Sequence, residues 1–122
     1  MPTPEQQNVD IVLALLAAMA KLSGRMGLDG DKLEKALPAA LEILRDELAF
    51  FYRDPVTGRY KEFHTTLSQA QALGFCAWRS PHFRTLDLSF SPLAAHQLLE
   101  ERADREIIEK AARAWYTRYC NA

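Results

Sequence analysis

The first stretch of regular patterning has no polar side. Val9, Val12, Leu13, Leu16 and Ala20 lie along one face of a helix, and Ile11, Leu15, Ala18 and Leu22 along another. A helix apolar on two faces needs cover on both. The cover is either the rest of a bundle, with this segment at its centre, or a second copy of the chain or another protein. Thr3-Pro4-Glu5-Gln6 supplies a hydroxyl cap, proline at the first helical position and glutamine at the third. With Gly24 able to close the far end, the predicted helix spans about residues 4–23.

Three further helices follow from spacing and caps. After Asp31-Lys32-Leu33-Glu34, the residues Leu37, Leu41, Leu44, Leu48 and Phe51 recur every three or four positions. They predict a helix over about 32–52, bent at Pro38. Thr66-Leu67-Ser68-Gln69 forms a capping box, and Gly74 stops a short helix over 67–74. Ser91-Pro92 opens a last helix over about 92–119, with Ile108, Ala111, Ala112, Trp115 and Tyr119 on one face. Asp104 can cap a second segment there and break it near Arg102–Ala103.

The middle of the chain follows another rule. Asp54-Pro55-Val56-Thr57-Gly58 is a turn signal between Phe51-Tyr52 and Tyr60–Phe63, which suggests a short hairpin in 53–64. Thr85 to Phe90 alternates with period two and predicts a strand within 79–90. The expected fold is mostly α: a bundle of about four helices with a short β-hairpin or strand pair in the middle third. No repeat or linker divides residues 1–122, so a single domain is expected. Composition agrees: 18 alanines and 17 leucines stand against seven valines and isoleucines together.

Charge narrows the functional classes. Fifteen Lys and Arg against 16 Asp and Glu give a net charge of −1, with no global attraction for nucleic acid or anionic membrane. The longest apolar run, Ile11 to Ala20, is ten residues, half a membrane span. Met1 to Gln7 lacks the basic region of a secretory signal. Cys76 and Cys120, 44 residues apart, make no disulfide framework. A cytoplasmic protein with reduced thiols is expected, and the alanine- and leucine-rich style suits a bacterial or phage source.

Aromatic residues concentrate in one place. Residues 1–49 hold none, and nine of the twelve lie between Phe50 and Phe90. Several alternate with cations: Tyr52-Arg53, Arg59-Tyr60-Lys61, Trp78-Arg79 and His82-Phe83-Arg84. Aromatics and arginines dominate binding interfaces, so Tyr52, Arg53, Arg59, Tyr60, Trp78, Arg79, Phe83 and Arg84 are the candidate partner surface. The same alternation serves single-stranded nucleic-acid binders, where rings stack on bases. The plainer reading places the rings in the core with arginines at its rim.

Catalytic and metal signals are sparse. A helix-turn-helix over Thr66–Phe83 fails because Pro81 falls inside its recognition helix. Cys76, His82 and Asp87 offer a thiol, an imidazole and a carboxylate, but without a flanking motif, and Cys76 sits between Phe75 and Ala77 like an inert buried thiol. Glu62, His64, Cys76 and His82 match no standard ligand spacing. Asp29-Gly30-Asp31 does not open a calcium loop, since Ala40 stands at the twelfth position. No metal or cofactor is expected.

The sequence therefore supports a small non-enzymatic protein-binding or regulatory protein: an adaptor, an inhibitor or immunity-type protein, or an assembly factor. Homodimerisation through helix one belongs to this reading. A nucleic-acid-binding regulator using residues 52–84 is the first alternative, although nucleic acid is not the expected partner. A small enzyme with a Cys/His site is the second.

Overall fold

The computed structural model describes residues 4–23, 27–45, 54–79, 84–89, 92–100 and 102–121. Five helices and three short strands follow in the order α1 (Pro4–Ser23), β1 (Gly27–Asp29), α2 (Gly30–Ile43), α3 (Lys61–Ala72), β2 (Cys76–Trp78), β3 (Thr85–Leu88), α4 (Pro92–Glu100) and α5 (Arg105–Cys120). The protein is thus mostly helical, with a small antiparallel sheet. None of the described helices is long and apolar enough to cross a membrane.

Helix α1 is the centre of the bundle. Every residue from Ile11 to Met19 is buried, as is Val9, because α3, α4 and α5 pack around it. From Val9 to Met19 both apolar faces are therefore covered within one chain, while Leu22 at the end of the helix is 46% exposed. Helix α2 packs on α5 through Leu33, Ala36, Leu37 and Ala40. Trp115 is the largest fully buried side chain, and its indole N–H donates to the Leu33 carbonyl at 2.9 Å. Phe63 meets its ring edge-on at a centroid distance of 5.8 Å, which brings α3 onto the same core.

The sheet has the order β1-β3-β2, and both pairings are antiparallel. Leu28 pairs with Leu86, Trp78 with Leu86, and Cys76 with Leu88. Alternation then sends Cys76, Leu86 and Leu88 inward, while Ala77 and Asp87 face outward.

Several predicted boundaries move. Helix α3 begins at Lys61, not at Leu67, so Lys61–Phe63 of the expected hairpin are helical, and its other arm, Phe51-Tyr52, lies outside the described residues. Thr66 lies inside the helix, where its hydroxyl donates to the Glu62 carbonyl at 2.7 Å. The last predicted helix is two helices, and Asp104 at the break receives a two-pronged hydrogen bond from Arg102, at 2.8 and 3.0 Å. Helix α2 is capped by Asp29, which accepts from the Lys32 N–H at 3.0 Å; the predicted cap Asp31 is already helical. It runs through Pro38 and ends at Ile43, and residues 46–52 of the predicted helix lie outside the described residues. Strand β1 was not foreshadowed by any local pattern.

Candidate functional site

The start of α2 organises a cleft. Asp29 ends β1 and caps the helix, and its own N–H donates to the Tyr119 hydroxyl at 2.8 Å, fixing this corner on α5. Gly30 follows, and its N–H donates to the Arg84 carbonyl at 2.7 Å, tying the residue before β3 to the helix. The outer ring of Trp78 rests on the same residue. A Cβ at position 30 would lie 2.6 Å from the indole Cζ3 and 2.7 Å from Cη2, so the close approach requires glycine.

One turn further along α2, Glu34 reaches across to α3. Its Oε2 accepts from the Tyr60 N–H at 2.9 Å and meets His64 Nε2 at 2.7 Å. The Tyr60 N–H is one of the free donors at the start of α3, and Tyr60 itself makes no side-chain cap. A carboxylate from another helix thus does the work of a local cap. The residues before it are equally fixed. Asp54 accepts from the Val56 and Thr57 N–H groups, its backbone pairs with Gly58 and Arg59, and Gly58 takes a positive φ of 73°. This closed turn delivers Arg59 to the cleft.

Gly30, Asp31, Glu34, Arg59, His64, Trp78 and Arg84 enclose a cavity of about 560 Å³. A second chamber of about 440 Å³ shares Asp31, Glu34 and Arg59 and adds Lys35, Pro38, Thr57, Gly58 and Tyr60. Among the described residues, neither the Arg59 nor the Arg84 guanidinium has an acidic partner, whereas Arg79, Arg102 and Arg105 each do. Two charged forks that border one cavity and have no acidic partner among the described residues are available to an anion.

Of the eight predicted surface residues, Arg59, Trp78 and Arg84 come together here. Tyr60 lines the second chamber but is 7% exposed, so it is a core residue at the chamber's floor, not a surface contact. Arg79 is drawn to the outer face of the sheet, where it binds both oxygens of Asp87 at 2.6 and 3.1 Å and holds that carboxyl below its ordinary pKa. Tyr52, Arg53 and Phe83 lie outside the described residues, as does His82. The sequence reading missed Asp31, Glu34 and His64. A glutamate in a helical pattern and a lone histidine 30 positions apart carry no local signal of their meeting.

The thiol, imidazole and carboxylate set does not assemble as a site. Cys76 points into the core with its Sγ 3.8 Å from the Leu67 carbonyl, and burial pushes the thiol up to about 11. Asp87 faces the other side of the sheet and is engaged by Arg79. Among the described residues, no group of three or more His, Cys, Asp or Glu side chains is placed to hold a metal ion. Along α5, Lys110, Arg113 and Arg118 border a shallower groove whose lining includes no aromatic ring.

The described residues form a mostly helical fold with a small antiparallel sheet and a mixed-charge cleft bordered by Trp78. Comparison with protein families, curated proteins and solved structures finds no match.

Proposed function

We propose that this protein is a non-enzymatic regulatory binding protein that engages a protein partner through the cleft between α2, the 54–60 turn and the end of the sheet. The partner presents an acidic side chain or chain end to Arg59 and Arg84, with an adjoining apolar group on Trp78. The observation that carries this reading is the gathering of Arg59, Trp78 and Arg84 at one cavity, with both guanidiniums lacking acidic partners among the described residues. Arginine and tryptophan are the side chains that contribute most per residue at interfaces. A continuous nucleic-acid track has less support, because Arg79 is paired with Asp87 and Tyr60 is buried. An adaptor, inhibitor or assembly factor all fit this mode of action.

A photo-crosslinking amino acid in place of Thr57, on the rim of the cleft, tests the proposal in the native host. A discrete crosslinked protein is expected, lost in the R59A/R84A double variant and retained in R113A/R118A on α5. Capture that is insensitive to R59A/R84A would contradict the proposed surface.

A further inference from the structure

We propose that the same cleft is a site for a purine nucleoside monophosphate, a small ligand that competes with partner docking. The competition rests on the reading above; the nucleotide site itself does not.

The lining carries more chemistry than an acidic peptide needs. Two guanidiniums would serve any anion, but Asp31 and Glu34 stand beside them and call for hydrogen-bond donors next to the anionic group. The set suits a ligand that is anionic at one end, planar at the other, and bears hydrogen-bond donors between. A phosphate offers the acceptors that Arg59 and Arg84 require. A purine, with the larger ring system of the two base types, offers the wider flat face to the half-buried indole of Trp78. Ribose hydroxyls and ring amino groups are donors, and two carboxylate groups stand ready to accept them. Glu34 Oε2 already holds Tyr60 and His64, but among the described residues Oε1 makes no hydrogen bond, and it is not sealed from solvent. Asp31 is exposed in the first turn of α2.

The site is also preformed. The indole rests on Gly30, the Arg84 backbone is bonded to the same residue, and Glu34 fixes the turn that carries Arg59. Its larger chamber, about 560 Å³, lies within the roughly 300–1,000 Å³ of typical small-ligand sites. His64 Nδ1 makes no hydrogen bond among the described residues and adds one more polar group to the wall.

The test is calorimetric titration of the full chain with AMP, GMP, ribose 5-phosphate and inorganic phosphate, alongside Trp78 fluorescence. Saturable binding of AMP or GMP is expected, with ribose 5-phosphate weaker by about tenfold or more because it has no ring to stack. W78L, with its helical circular dichroism intact, should reduce nucleotide affinity about tenfold while leaving ribose 5-phosphate unchanged. R59A/R84A, with its helical circular dichroism intact, should lose both ligands. Ribose 5-phosphate or inorganic phosphate binding as tightly as the nucleotides would overturn the proposal, leaving a bare anion site. Absence of saturable binding by AMP and GMP up to 10 mM would overturn it as well. Neither result bears on partner capture, which the crosslinking experiment reads separately.

Discussion

Glu34 shows how much one side chain can organise. It is 9% exposed, yet it holds the first turn of α3 through the Tyr60 N–H and orients His64 at the cleft. Glu34→Ala leaves that N–H without its acceptor, and a loss of about 1–3 kcal/mol in urea unfolding is expected. Arg59, the residue before Tyr60, would lose its fixed position in the same variant. Cys76 makes the opposite case, a reactive group made inert by its surroundings. With its pKa raised to about 11 by burial, the thiol stays protonated at neutral pH, whereas Cys120 is exposed. Titration of the folded protein with a thiol reagent at pH 8 should modify one cysteine promptly, and the second only on unfolding. Two prompt equivalents would mean that Cys76 is accessible.

Elements were legible where their signals are local. The spacing of Leu33, Leu37 and Leu41 and the repeated apolar turns of α1 reveal helices because each contact lies within one or two turns. Helix α3 was misplaced by six residues at its start because its cap comes from Glu34, 26 positions earlier, and not from the preceding residues. Strand β1 escaped notice for the same kind of reason: three residues gain their strand character only by pairing with Thr85–Asp87. The α4–α5 break was readable at Asp104, although its carboxylate binds Arg102 and caps nothing. That pairing depresses the Asp104 pKa, chiefly through the Arg102 hydrogen bonds. A carboxylate with a lowered folded-state pKa contributes stability above its unfolded value, near 4, and loses it as pH falls through the folded value. Asp104→Asn should therefore destabilise the protein at pH 7, with the gap from wild type closing as pH falls from the unfolded value through the lowered folded value. A constant gap across that window would remove the ion pair from the explanation.

At the scale of the whole molecule, the two-faced α1 is the feature that sequence left most open. Burial of Leu15, Leu16 and Met19 at 0% exposure places it inside a single chain, packed by α3, α4 and α5. Leu16→Ala should cost about 2–5 kcal/mol, the range for a leucine deleted from a close-packed core. The cleft was half legible. Arg59, Trp78 and Arg84 stood out as aromatic and basic positions in an irregular segment, and tertiary structure united them. Asp31, Glu34 and His64 were not part of the predicted surface, because the Glu34–His64 contact joins residues 30 positions apart and leaves no local pattern. The account depends above all on that cleft being the binding surface. The most direct measurement is the dissociation constant of the crosslinked partner, once purified, for wild type, R59A/R84A and R113A/R118A. Loss of two interface arginines is expected to weaken binding by about thirtyfold or more, equivalent to roughly 2 kcal/mol, with the α5 control within about twofold of wild type. Unchanged affinity in R59A/R84A, or an equal loss in the α5 control, would contradict it.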